Sequence, residues 1–326
     1  MNTKLSIIYV TARKQPKFEW FVETLISQYP DGNVTDQIVF IDAFIEYESD
    51  RIEKLRKIIN SRFEYLHIPP KPSIWRGKYK KTKSNFFDAS GTRNTGLVVS
   101  EYDHVLFVDD LSALTNGCLD FHRKAAEQKI IFAGAYDKVS DILIENNQIK
   151  SYTKCDKDTR IVHQFTDDNL KIGGGWIFGQ NISFPLEYIL SVNGYDEYLA
   201  RRGCEDCNLG VRLEIAGYKE KMFYNKNCLI IEDDILHYTQ ENIVDDLYCK
   251  RRWKTDEQEN HEISNFFHEK MNKTEYNHLY VDKKFSTIDE EFKLIEEREL
   301  YKVSKKFKSV DNINYIDFDG KNICDI

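Results

Sequence analysis

The segment VLFVDDLSAL constrains this chain most: an unbroken apolar run at 105–108 ends directly in two adjacent carboxylates, Asp109 and Asp110. A short β-branched run of this kind reads as a strand covered on both faces. Three similar runs precede it, at 5–10, 37–41 and 65–68, and the second ends in another acid, Asp42. Between them the apolar spacing is helical. Phe18, Phe21, Val22, Leu25 and Ile26 share one face of a helix. Asp50 with Glu53 reads as a capping box for a second helix, whose apolar face is Ile52, Leu55 and Ile59. Further helices are predicted over 89–99 and near 119–127, with a strand at 130–133. Alternation of strand and helix is the pattern of an α/β protein with a mostly parallel central sheet flanked by helices. Ligands of such sheets bind beyond the carboxyl ends of the strands, the edge where Asp42, Asp109 and Asp110 fall.

After about residue 138 the pattern changes. ILIENNQIKSY reads as a hairpin turning at Asn146 and Asn147. GGGWIFGQNISFP reads as a flexible glycine-rich loop, with Trp176 offered to a ligand, that leads into a strand. Pro185 opens a short helix. A helix starting at Glu205 carries Leu209, Leu213 and Ala216 on one face and stops at Gly217. A strand at 229–231 runs into acids and His237, and beyond 240 the chain is strongly charged with helical character.

Bulk properties exclude some functions. The 46 basic and 54 acidic residues leave a net charge of −8, which argues against non-specific nucleic-acid binding. A local basic cluster, RGKYKKTK at 76–83, serves equally as a solvated loop or a phosphate contact. No run approaches the roughly 20 apolar residues of a membrane-spanning helix. The run at 5–10 is too short for a signal-peptide core. Seven scattered cysteines read as reduced thiols, so a cytoplasmic protein without a transmembrane segment is expected. Cys204 and Cys207 form a C-x-x-C without a second pair at zinc-finger spacing, and the acids between them argue against an activated thiolate.

The candidate chemistry rests on carboxylates. Adjacent acids at a strand end suit Mg²⁺ or Mn²⁺ bound with a diphosphate, and they suit a plain turn that caps the next helix as well. Glu205 and Asp206 open a helix, where the dipole alone favours negative charge. The run GGGWIFG has the wrong spacing and position for a dinucleotide fingerprint.

The order of these segments carries more than any one of them. LSIIYVTARK, IVFIDAF, ASGTRNTGL, VLFVDDLSAL, GGGWIFGQNISFPLEYILSVNGYDE and GCEDCNLGVRLEIAGY follow one another in a way that resembles the family-2-type GT-A glycosyltransferases. The resemblance spans roughly residues 4–240. It implies a GT-A domain over 1–240, with a nucleotide-binding half at 1–135 and an acceptor-binding half at 136–240, and it leaves 241–326 as a charged helical extension. It implies that Thr11, Ala12 and Arg13 line the nucleotide pocket, that Asp42 contacts base or ribose, and that Arg93 and Asn94 lie near the nucleotide and diphosphate. Asp109 and Asp110 take the place of the family's D-x-D motif. The usual second acid is here Leu111, so the expectation is Asp110 on the metal with His237, and Asp109 on the ribose or behind the metal ligands. Glu205 and Asp206 match the acidic pair, with Asp206 as base and Glu205 holding an acceptor hydroxyl. Gly175 and Trp176 are expected at the acceptor, a glycan or other hydroxyl compound.

These roles imply a nucleotide-sugar donor, a divalent cation on its diphosphate, and one displacement that inverts the anomeric carbon. A metal-held diphosphate leaves without the protonated carboxyl acid that a glycosidase needs. Two alternatives stay open. A sugar-phosphate nucleotidyltransferase would want glycines in the first loop, which here reads TARKQPK. A catalytically inactive sugar-nucleotide or glycan-binding module would explain the altered D-x-D.

Overall fold

The computed structural model describes residues 3–45, 47–71, 88–165, 167–192, 194–195 and 205–238. The basic cluster at 76–83, Cys204 and the expected extension at 241–326 lie outside the described residues.

β1 (Ser6–Thr11) pairs in parallel with β2 (Gln37–Asp42) on one side and with β4 (His104–Asp109) on the other, while β3 (Tyr65–Ile68) extends the sheet beyond β2. The run 5–10 is apolar throughout because both of its faces are covered. Ile7 and Tyr9 join one core with Phe18, Phe21, Val22 and Leu25 of α1 (Phe18–Ile26) and Leu55 and Ile59 of α2 (Arg51–Ile59). Ile8 and Val10 join a second core with Leu97 of α3 (Ala89–Val99). Alternate side chains of a strand point to opposite faces, so one run feeds two cores.

The sheet continues past β4. β5 (Ser112–Leu114) and α4 (Cys118–Gln128) follow, then the long β6 (Ile131–Glu145), β7 (Gln148–Asp156), α5 (Thr159–Val162) and β8 (Leu170–Lys171). β9 (Ile182–Pro185) lies antiparallel between β4 and β6; α6 (Leu186–Ser191) and α7 (Glu205–Leu213) lead to β10 (Met222–Asp233) and α8 (Asp234–Tyr238). The strand order is β3-β2-β1-β4-β9-β6-β10-β5, with β7 on β6 and β8 on β10.

Four local expectations change. β6 runs for 15 residues and contains the first arm of the expected hairpin. Its turn does fall at Asn146 and Asn147, both at positive φ (53° and 61°), as a tight two-residue hairpin requires. The capping box at Asp50 does not form: the Asp50 side chain caps nothing and Glu53 pairs with Arg56. Ile52, expected in the core, is exposed, and Arg51 is buried in its stead. The helix starting at Glu205 is α-helical to Leu213 and looser beyond it, and it breaks at Gly217, whose φ of 97° is the left-handed conformation expected of a C′ glycine. Ala216, expected on the helix's apolar face with Leu209 and Leu213, is exposed.

Among the described residues no helix is long and apolar enough to cross a membrane.

Candidate functional site

Register places the acids. Thr11 of β1 pairs with Asp42 of β2, and Val10 pairs with Asp109 of β4, so three strand ends finish at one level. The chain beyond each end decides what each carboxylate does.

Asp42 is fully buried. Its Oδ2 accepts from Arg51 Nε (2.7 Å) and lies 3.1 Å from His67 Nε2, and its Oδ1 accepts from the Phe44 amide (2.9 Å) and Arg51 Nη2 (3.3 Å). Burial pushes its carboxyl up, but the His67 and Arg51 bonds outweigh burial and hold it below the usual aspartate value. The carboxylate expected at the base or ribose is bonded within the chain on both oxygens. Asp42 orients Arg51, which donates to the carbonyls of Arg13 (2.6 Å) and Lys14 (2.7 Å) and so fixes the loop after β1. This also explains the buried Arg51: an ion-paired guanidinium can occupy a place where an unpaired charge could not.

Asp110 is committed to the same loop. Its Oδ2 accepts from Thr11 Oγ1 (2.6 Å) and its Oδ1 lies 3.4 Å from Arg13 Nε. Leu111 follows at φ 59°, a left-handed conformation rare for a non-glycine residue. Its amide donates to the Pro16 carbonyl and its carbonyl accepts from the Asp233 amide, so the fully buried leucine splices β4 into β5 beside β10. Asp109, by contrast, keeps 30% of its side chain exposed, against 10% for Asp110. Burial raises the Asp109 carboxyl; Arg93 opposes this, and Glu232 and Asp110 add to it. Of the two expected metal-site acids, Asp109 is therefore the more open, and Asp110 is the one bonded to the loop after β1.

α3 delivers Arg93. Every residue from Ala89 to Leu97 on this helix is buried. Such a helix needs small residues and hydroxyls that satisfy themselves. Gly96 lies against β1, where an added Cβ would sit 2.5 Å from Ile8 Cγ2, while Thr95 and Ser100 donate back to carbonyls four residues earlier. Asp88 caps the helix through the Gly91 amide. Arg93 Nη2 then donates to Asp109 Oδ1 (2.8 Å) and Nη1 to Glu205 Oε1 (3.0 Å). Burial works against this guanidinium's charge, but Asp109, Tyr195, Glu205 and Asp206 together hold it on. Asn94 bonds both ways with the Tyr195 backbone (3.0 and 2.9 Å), so its amide braces the chain there.

The first turn of α7 brings Glu205 and Asp206. Glu205 is buried against Arg93. Asp206 is half-buried; its Oδ2 accepts from the Gly179 amide (2.8 Å) and its Oδ1 from the Cys207 amide (2.7 Å). The glycine-rich run is no flexible loop at its start. Gly174 and Gly210 of α7 meet backbone to backbone, and a Cβ on either would lie about 2 Å from the other's carbonyl oxygen. Trp176 is half-buried in an aromatic group, 4.7 Å from Phe165 and 5.2 Å from His163 between ring centres. At the exposed Gly175 an added Cβ would meet nothing within 4 Å. Ala12 is buried just beyond β1. His237 belongs to α8, and the described side chains stop at Leu236.

Sequence reasoning missed Arg51, Gln180 and Glu232. Gln180 Oε1 accepts from the Asp109 amide (2.7 Å) and its Nε2 donates to Ser112 Oγ (2.5 Å), which fixes the bend after β4. Glu232 was legible only as one of several acids after a strand; it pairs with Lys138 at 2.5 Å.

No protein-family profile and no curated protein matches the sequence. Solved structures do. S. aureus TarS 1–349 in complex with UDP-GlcNAc aligns at 11% identity and a TM-score of 0.52, covering 96% of this chain and 78% of that one. The same fragment in complex with UDP aligns at 10% and 0.51, covering 94% and 73%. A third TarS 1–349 structure aligns at 12% and 0.46 over 71% of this chain, which there spans 60% of the solved one. The first two alignments speak to architecture: the chain has the GT-A glycosyltransferase fold.

Proposed function

We propose that this GT-A chain is a glycosyltransferase, moving a sugar from a nucleotide-diphosphate sugar to a hydroxyl acceptor. The observation that carries the proposal is the buried guanidinium of Arg93 held between Asp109 and Glu205, with Asp206 adjacent to Glu205. It ties a strand-end acid of the nucleotide half to an acidic pair from the other half, at the edge where open α/β sheets bind ligands.

In this reading Asp206 is the base. Backbone amides on both of its oxygens orient the carboxylate, and each oxygen keeps a lone pair for an acceptor hydroxyl. Removal of that proton with attack on the anomeric carbon is one displacement, so the configuration inverts. Glu205 positions Arg93. Thr11, Arg13 and Asp110 hold the loop after β1 in the shape that receives the nucleotide. TarS fragments are solved with UDP and UDP-GlcNAc, which makes uridine diphosphate sugars the first donors to test.

A divalent cation fits Asp109 by charge. The carboxylate is partly exposed; burial raises it against the pull of Arg93, and Glu232 and Asp110 raise it further, repulsion that a cation would relieve. Among the described residues no group of three ligand side chains gathers here, so diphosphate oxygens and water would complete the shell, as Mg²⁺ commonly permits. Bound there, Mg²⁺ or Mn²⁺ would supply charge stabilisation to the departing diphosphate.

The buried Leu111 in place of a second acid favours one rival, a module that binds sugar nucleotides without turnover. Thermal melting against UDP-, GDP- and dTDP-sugars, each with Mn²⁺ and with EDTA, tests the donor site. A donor at 100 times its Kd stabilises by about 2.7 kcal/mol, or about 5–11 °C for a domain of this size. A shift for one nucleotide class with slow donor hydrolysis supports the enzyme. A shift without any turnover supports the module, and no shift with any donor removes both.

A further inference from the structure

A second polar cluster lies inside the fold, between α4 and the sheet. Cys118 and His122 stand four residues apart on α4 and share its buried face. Opposite them, β10 slips register against β6 between Asn225 and Leu229. The irregularity lodges Cys228, which an unbroken ladder would have placed by strict alternation, with its sulfur 3.6 Å from the Cys118 carbonyl. Asn181, just before β9, is the fourth member. It sits at φ 55°, and its Nδ2 donates to the carbonyls of Ala135 (2.6 Å) and Cys228 (2.9 Å), so its Oδ1 must face the sulfurs. Gly134 clears the space, since a Cβ there would lie 2.2 Å from Asn181 Nδ2.

We propose that Cys118, His122 and Cys228, with the Asn181 side-chain carbonyl as fourth donor, form a structural site for a soft closed-shell cation, zinc. The separations carry this. The two sulfurs are 3.7 Å apart, Cys228 Sγ is 3.4 Å from His122 Nε2, and each sulfur is 3.8 Å from Asn181 Oδ1. Metal–sulfur bonds of about 2.3 Å and metal–nitrogen or metal–oxygen bonds of about 2.1 Å give tetrahedral edges of about 3.8 Å between sulfurs and about 3.6 Å from sulfur to nitrogen or oxygen. The His122 Nε2 to Asn181 Oδ1 edge, 2.9 Å, is the short one, at hydrogen-bond length; it opens by about 0.5 Å when the metal takes the place of the shared proton.

Charge and surroundings agree. Cys118, His122, Cys228 and Asn181 are all essentially unexposed, so the site must be neutral overall. Two thiolates, a neutral imidazole and an amide around Zn²⁺ sum to zero, and binding releases the two thiol protons. His122 Nδ1 lies 2.8 Å from Ser183 Oγ; when a metal takes Nε2 the displaced proton is carried at Nδ1, which then donates to Ser183, and the imidazole stays neutral. Four buried protein donors make the site closed, a clamp joining α4, the residue before β9, and β10. It is independent of the donor edge described above.

Cobalt tests it in the full chain. The protein is treated with chelator under reducing conditions and titrated with Co²⁺. Wild type should develop the intense sulfur-to-cobalt and tetrahedral visible bands, saturating at about one equivalent, and added Zn²⁺ should bleach them and raise the melting temperature. Cys204→Ser with Cys207→Ser should keep the bands; Cys118→Ser and Cys228→Ser should each lose them. The wild-type spectrum decides the matter even if a cysteine variant fails to fold. Folded, reduced wild type that gives no tetrahedral cobalt spectrum overturns the proposal. So does a spectrum that survives in Cys118→Ser with Cys228→Ser, or a Cys118–Cys228 disulfide in a non-reduced peptide map.

Discussion

Gly179→Ala is a small change with a large expected effect. A Cβ at this position would sit 2.3 Å from Arg93 Nη2 and 2.7 Å from Arg93 Cζ. The end of an arginine usually swings aside at little cost. Here the guanidinium is buried and bonded on both sides, to Asp109 at 2.8 Å and to Glu205 at 3.0 Å. Restoring an ordinary contact of about 3.4 Å moves it by roughly 1 Å, which spoils both bonds. Hydrogen bonds to charged groups contribute about 1.5–3 kcal/mol each. Part of the attraction survives the move, so the net loss should be about 2–4 kcal/mol, or a melting temperature lower by about 4–16 °C. Gly175→Ala is the control: nothing lies within 4 Å of its Cβ, and the change should stay within about 0.5 kcal/mol. Thermal and urea unfolding of the two variants beside wild type measure the difference. Gly179→Ala that melts with Gly175→Ala would refute the reasoning, because Arg93 would then be free to yield.

Two further outcomes are expected. Asp206→Asn should keep donor binding and lower kcat by about 10²–10⁴-fold, the size of a lost general base; near-normal turnover would remove Asp206 from that role. His104, buried at the start of β4 and pushed down to about 3 chiefly by burial and secondly by His122, stays neutral where an unfolded histidine takes a proton at about 6.5. A depressed folded pKa means stability is complete above pH 6.5 and declines as pH falls toward 3, by up to about 1.4 kcal/mol per pH unit. Urea unfolding between pH 4.5 and 8 should show this slope in wild type and lose its histidine share in His104→Leu; equal slopes would exclude His104 as the source.

The sequence by itself determined the parallel half of the sheet. Runs such as 5–10 and 105–108 are apolar at every position because both faces are covered, and that periodicity needs no neighbour to be read. It also determined that acids end two of these strands, Asp42 after 37–41 and Asp109 after 105–108, and the segment order carried the GT-A resemblance that the solved structures bear out as a fold.

What each carboxylate does was left to tertiary structure. Asp42, Asp109 and Asp110 look alike in sequence, each an aspartate after a hydrophobic run. Arg51, nine residues from Asp42, closes over the first; Thr11 and Arg13, about a hundred residues from Asp110, take the third; only Asp109 keeps an open side. The same holds for Cys118, His122, Asn181 and Cys228. Only the C-x-x-x-H pair is adjacent in sequence, and a strand irregularity together with one left-handed asparagine brings in the rest. Local propensity is a property of a short segment. A partner 60 or 110 residues away is a property of strand order and register, which exist only once the sheet has formed.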